Sequence, residues 1–440
     1  MHDIAFLVYA PDRQRRKNNS FDGNDNVGAY VIIEVLERAG HKVAFCGPAT
    51  AHRYRVVLVS FTSTYDLYAF YRAVALRPDW QPDRRPFVVV GGGFGLQNPT
   101  VVRHYVDYAV FGRGEDIVAD LVGQVVGGGQ FTHESVMRLP EIYSVKVAQA
   151  RQLYHGPRFK EAFIGCPNKC KFCHYTWARR SMGNGGQYVQ DTLTHGNSPE
   201  ILFKQIGSIS RKYGRIRTAI DGFSERLRVL YGKKITNQEI VDGFNHIGAF
   251  AGNTVVICYN IGNMPTETES DRAELYDLFK RIKPRHRVIV VLHTTPFRPS
   301  LLTPLQFAPV QLDPSASALR FKEIVSTGTF MAKHSMSNEG PFSHLQCVVA
   351  ERATPATDRL FHTICFSKKL RSQNSNGQVR LLEAHFDLSP YLRRYDPTEV
   401  HAPGWFLESY VPTRMIRKAF LWTEKDPAGR RGRVAKVKGL

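Results

Sequence analysis

At 440 residues the chain is long enough for two or three domains and has ample apolar content for real cores. Its apolar start is too short for a signal-peptide core, with positive charge on the wrong side, and no later run approaches the roughly 20 apolar residues of a membrane span. A soluble protein of the cytoplasm is expected, a host's cytoplasm if the source is viral. Lys and Arg number 59 against 39 Asp and Glu, a formal net charge of +20. That excess favours a polyanionic partner, and its plain alternative is a highly charged soluble surface.

The first 130 residues alternate strand and helix patterns. A strand at Ile4–Tyr9 precedes a helix over Val27–Ala39, which is closed by Gly40. Strands follow at Lys42–Cys46, Val56–Phe61, Phe87–Val90 and Tyr108–Phe111, with helices near Asp66–Leu76 and Ile117–Val126 between or after them. This alternation reads as a doubly wound α/β domain with a parallel sheet over 1–130, and Gly127-Gly128-Gly129 as the linker out of it.

A second α/β segment spans 147–295. Strands are expected at Ala162–Ile164, Arg217–Ile220, Thr254–Tyr259 and Arg287–Leu292, with helices at Pro199–Lys212, Asn237–Phe244 and Asp271–Ile282. From Pro296 the pattern turns irregular and Pro-rich, and 296–440 reads as a basic C-terminal extension ending in a tail rich in Arg and Lys.

The chemistry concentrates in Gly165-Cys166-Pro167-Asn168-Lys169-Cys170-Lys171-Phe172-Cys173-His174. Three thiolates at C-x3-C-x2-C spacing on one loop can ligate three irons of a cubane and leave the fourth open. A structural zinc site needs a fourth ligand that the adjacent His174 is poorly placed to supply. A c-type haem attachment would leave Cys166 unused, and three coincidental buried thiols complete the alternatives. Cys46, Cys258, Cys347 and Cys365 lie among apolar neighbours and read as buried structural thiols.

The loop resembles the signature of the radical S-adenosylmethionine superfamily, with Phe172 as the aromatic before the third cysteine. Ile220 to Arg228 with Gly232 to Thr236 and Glu239, and then Ile261 to Asp271, look like two further regions of the subgroup that carries an N-terminal cobalamin-binding-like domain. The resemblance implies a partial (β/α) barrel, a [4Fe-4S] cluster on Cys166, Cys170 and Cys173, and S-adenosylmethionine bound near Phe172, Ser224 and Arg226. It also implies a reductant such as flavodoxin or ferredoxin, and cleavage of the cofactor to a 5′-deoxyadenosyl radical. For Ser224 and Arg226 the alternatives are a helix-capping serine and a solvated arginine.

Cobalamin is not favoured. Many members of the subgroup ligate cobalt from a D-x-H-x-x-G loop, whereas Asp22 to Gly28 has Asn24 in the histidine place, and no histidine lies between His2 and His41. Direct radical chemistry is therefore preferred. The composition resembles bacteriophage enzymes of DNA hypermodification, in which a radical isomerase rearranges a glycyl adduct on thymidine, with DNA as the partner. Two other readings stand beside it: a cobalamin-dependent methyltransferase acting on a small metabolite or peptide, and a nucleic-acid-binding protein with a structural metal site. Tyr391, Arg393, Arg394 and Tyr395 are candidates for base stacking and phosphate contact, or for ordinary core packing.

Overall fold

The computed structural model describes residues 3–9, 27–61, 64–74, 77–81, 84–92, 98–103, 105–139, 141, 145–146, 153–157, 160–161, 170–173, 177, 188–189, 215–233, 235–250, 254–312, 323–336, 341–354, 356–397, 407–408 and 413–425. Cys166 and the strand and helix expected at Ala162–Ile164 and Pro199–Lys212 lie outside these residues. So do the basic residues Arg13 to Lys17, the loop around Asn24, and the tail from 426.

The first sheet contains β1 (Ile4–Leu7), β2 (Val43–Cys46), β3 (Val56–Ser60), β4 (Phe87–Gly91) and β5 (Tyr108–Val110), parallel in the order β2-β1-β3-β4-β5. A sixth strand, β6 (Val136–Arg138), pairs antiparallel with β5. The glycine run is thus not the exit from this sheet. The helix Val118–Val126 ends at Gly127, Gly128 adopts a φ of 81°, and the chain returns as β6.

Side chains alternate between the two faces of a strand. Ile4, Phe6, Val56 and Leu58 share one core with Ile33 and Leu36 of the helix Val27–Arg38 and with Leu121 and Val122 of the helix Val118–Val126. Ala5, Leu7, Val57 and Val59 point the other way, into a core with Leu67, Phe70 and Tyr71 of the helix Thr64–Val74. Helices on both faces make this the doubly wound sheet expected from the sequence.

Two-residue ladders follow. β7 (Val145–Lys146) pairs parallel with β15 (Leu407–Glu408), and β8 (Lys160–Glu161) pairs antiparallel with β9 (Tyr188–Val189). The second sheet comprises β10 (Arg215–Ala219), β11 (Thr254–Gly262), β12 (Val288–Pro296), β13 (Glu323–Thr327) and β14 (Phe330–Met336) in the order β10-β11-β12-β14-β13. All its pairings are parallel except the β13–β14 hairpin. It is an open, mostly parallel sheet, and no closure into a barrel is seen among the described residues.

The sheet does not end at 295: β13 and β14 extend it to Met336. The chain then forms helices at Pro341–Arg352, Asp358–Phe366, Lys368–Arg371, Ser375–Glu383 and Ser389–Leu392. Leu345, Val348, Phe361, Ile364 and Leu382 from these helices join the core of the first sheet's second face. Much of the expected irregular region is therefore an ordered helical layer over the N-terminal sheet. Within it, the guanidinium of Arg352 donates to the carbonyls of Gln306, Tyr391 and Arg393 at 3.0, 2.9 and 2.8 Å. No described helix is long and apolar enough to cross a membrane.

Candidate functional site

One face of the second sheet is closed. Val256, Cys258, Val290, Leu292, Phe330 and Ala332 pack in one core with residues of the helices Asn237–Phe250 and Glu269–Lys280, among them Phe244, Leu275 and Phe279. The opposite face carries Ile257, Tyr259, Val291, His293 and Lys333, each partly or largely exposed. Tyr259 pairs in register with His293, and their rings meet edge to face at 5.5 Å. This face combines apolar area with phenol, imidazole and ammonium groups, a lining suited to binding and orienting a small polar ligand.

The described part of the cysteine loop sits beyond the carboxyl ends of β11 and β12. Cys173 N–H donates to the Cys170 carbonyl at 3.1 Å, closing a tight turn, and the indole of Trp177 donates to the same carbonyl at 3.0 Å. Lys171 N–H donates to Tyr231 O at 2.9 Å, and Leu305 N–H donates to Lys171 O at 3.1 Å. Phe172 and Trp177 pack against a core of Leu227, Tyr231, Met264, Phe297, Leu305 and Phe420. Met264 lies two residues past β11 and Phe297 one past β12, which fixes the turn at the sheet's carboxyl edge. Neither Cys170 nor Cys173 is in a disulfide. Two cysteines of the loop thus share one turn, while Cys166 lies outside the described residues.

Ser224 and Arg226 meet on one carboxylate. Ser224 is fully buried, caps the helix Glu225–Leu230 by accepting from Leu227 N–H at 3.2 Å, and donates to Asp271 Oδ1 at 2.5 Å. Arg226 forks onto Asp271 through Nε at 3.0 Å and Nη2 at 2.5 Å, and also donates to Thr266 O at 2.9 Å. Asp271 in turn closes a capping box with Thr268 at the start of the helix Glu269–Lys280. Burial alone would raise the Asp271 pKa, but the donors from Arg226, Ser224 and Thr268 hold it at about 2. The structure thus gives Ser224 and Arg226 a shared anchoring role between two helix starts, and packs Phe172 into an apolar cluster.

The same region holds other polar ties. Arg228 is fully buried, donates to Ile235 O and Gly222 O at 3.0 Å each and also reaches Asn237; burial lowers its pKa to about 10. Lys233 pairs with Asp221 at 2.7 Å, and Gly222 N–H donates to Asn260 Oδ1 at 2.7 Å. A cavity of about 310 Å³ opens beside the cysteine turn, lined by Tyr231, Met264, Arg272, Leu305, Phe420 and Thr423 among others.

The carboxyl edges of the two sheets are tied together. Arg298, two residues past β12, lies over the Tyr65 ring at 5.3 Å and donates to its hydroxyl at 3.2 Å; Tyr65 opens the helix that follows β3. Asn98, in the segment after β4, is buried and donates to Ala353 O at 2.7 Å and Ala350 O at 3.0 Å.

A scan against protein-family models finds no match, and no curated protein matches the chain. Among solved structures, the chain is similar to the cobalamin-dependent S-adenosylmethionine radical enzyme OxsB with aqua-cobalamin bound, at 12% identity and a TM-score of 0.34 over 97% of this chain and 62% of that one. The same enzyme with aqua-cobalamin and S-adenosylmethionine bound aligns at 11% identity and a TM-score of 0.25, over 96% of this chain and 56% of that one. The chain thus spans about three fifths of that enzyme's length. A likeness this slight decides neither cofactor nor reaction for this chain.

Gly92 directly follows β4. Its φ is 136°, and a Cβ there would stand 2.0 Å from Phe61 O. This glycine is required by the close approach of the chain after β4 to the end of β3, so a ligand is not needed to explain it. Among the described cysteines, Cys46, Cys258, Cys347 and Cys365 are buried away from the cysteine loop, as Cys170 is within it, and burial pushes the Cys46 and Cys258 thiols up to about 12. Of the two readings of Tyr391 and Tyr395, base stacking or core packing, the structure shows packing: both are buried, and the Tyr395 ring lies under Arg352 at 4.7 Å and Arg393 at 4.6 Å. Sequence reasoning missed Lys171, an unremarked position inside the cysteine motif, and Asn98 and Tyr259, which carry no motif; all three gain meaning from distant partners.

Proposed function

We propose that the chain is a radical S-adenosylmethionine enzyme that holds a [4Fe-4S] cluster with Cys166, Cys170 and Cys173. The observation that carries this reading is the Cys170–Cys173 turn pinned at the carboxyl edge of an open, mostly parallel sheet. When bound, the cluster supplies a single electron to split the sulfonium of the cofactor. The protein's own part is to hold the turn rigid, keep one sheet face available for cofactor and substrate, and orient them with Tyr259, His293 and Lys333. Anaerobic reconstitution tests it: about four irons per chain are expected, and a stoichiometric zinc ion, or no metal, would refute it.

For the reaction, radical isomerisation of a glycyl adduct on thymidine in DNA is favoured, with flavodoxin or ferredoxin as reductant. The +20 charge and Asn24 in the usual cobalt-ligand place support it. Chromatography with mass spectrometry of nucleosides checks it, because an isomer shifts in retention and not in mass. A cobalamin-dependent methyltransferase is the second reading, favoured by the strand order β2-β1-β3-β4-β5. That order puts a topological switch point between β1 and β3, at an edge tied to the second sheet. Cobalamin that stays with the protein through gel filtration would support it over the isomerase.

A further inference from the structure

We infer that the helix Thr413–Lys425 is a brace for the cluster turn, with Lys171 and Thr423 as positioning residues for the iron–sulfur centre. The inference rests on the reading of Cys166, Cys170 and Cys173 as cluster ligands.

Lys171 stands between two of those cysteines and is only 8% exposed. Lysine is rarely buried, because removing an ammonium from water is costly unless polar groups receive it. Here Nζ donates to Thr423 Oγ1 at 2.7 Å across 252 residues of sequence, and that hydroxyl donates onward to Ala419 O at 2.7 Å. The Lys171 backbone is held at both ends, by Tyr231 O and Leu305 N. One residue therefore joins the cysteine turn to the end of the helix Glu225–Leu230, to the segment after β12 and to the C-terminal helix.

That helix is itself fixed to the same wall. Ile416 and Phe420 are buried in the cluster that contains Phe172 and Trp177, and the Phe420 ring lies 5.4 Å from that of Phe307. Arg394 forks onto Glu424 with both contacts at 2.6 Å and lies over the Phe420 ring at 5.3 Å. A buried cation one residue from a cluster ligand also favours the reduced, more negative state of the centre, since charge and hydrogen bonding around a cluster set its potential.

The experiment compares reconstituted full-length wild type with Thr423→Val, Thr423→Ser and Lys171→Met, by redox titration followed by electron paramagnetic resonance. Thr423→Val and Lys171→Met should lower the reduced-to-oxidised ratio at fixed poise about tenfold, equivalent to about 59 mV for one electron. Thr423→Ser, which keeps the hydroxyl, should match wild type. Loss of the cluster in Thr423→Val but not in Thr423→Ser, with equal thermal melting, would also support the brace. Wild-type potential in both Thr423→Val and Lys171→Met, or equal damage in Thr423→Ser, would overturn it. A wild type that binds no cluster would instead defeat the functional reading on which the brace depends.

Discussion

Asp271 takes hydrogen bonds from Ser224, Arg226 and Thr268 and so ties together two helix starts. Replacing it with asparagine removes the charge that Arg226 pairs with and leaves buried donors poorly matched, at a cost on the order of 2 kcal/mol. The folded pKa of about 2 lies below the ordinary aspartate value near 4. Its contribution is therefore complete above about pH 4 and disappears as the pH falls towards 2. The gap in urea midpoint between wild type and Asp271→Asn should be full near about pH 6 and clearly smaller at about pH 3. The cysteine motif is a signal of local spacing, so the sequence alone can propose it as a site. The capping role of Ser224 was among the readings that the residues offered, but the carboxylate it shares with Arg226 was not, because Asp271 lies 47 and 45 residues away.

At the scale of strands and helices, Gly92 joins the ends of β3 and β4 most tightly. A methyl group there meets Phe61 O at 2.0 Å and cannot be relieved by a side-chain rotation, because the obstacle is backbone. Gly92→Ala should lower the melting temperature by at least about 5 °C, corresponding to roughly 2 kcal/mol or more. Gly28→Ala is the control: a Cβ there meets nothing within 4 Å, and alanine favours the helix that contains it. Strands such as β3, whose VVLVS run is nearly all apolar, were legible from composition. β14 was not, because Lys333 and His334 interrupt its FMAKHSM pattern. His334 is nonetheless buried, shares a hydrogen bond with Thr294 at 2.8 Å, and has its pKa lowered by burial to about 4.

At the scale of the whole molecule, the two ends of the chain share a core. Phe361 lies against Tyr68 and Tyr71 with ring centroids at 5.2 and 5.6 Å, and Tyr68 donates to Gln346 O at 2.7 Å. Phe361→Ala should cost about 3–5 kcal/mol. Hydrogen exchange checks the placement: protection should fall in the helix Thr64–Val74, almost 300 residues upstream of the substitution. The doubly wound sheet was readable because each βα unit is local. The return of 341–392 to that sheet was not, since no periodicity in a segment records which distant surface it covers.

That return has a consequence for biosynthesis. The strands and helices of the first sheet leave the ribosome about 200 residues before the helices that cover one of its faces. During that interval Leu67, Tyr68 and Tyr71 lack the partners that bury them in the finished protein, so the nascent sheet exposes apolar surface of the kind that favours association. Translation must run past Tyr391 before the earliest-made part of the protein can close its core.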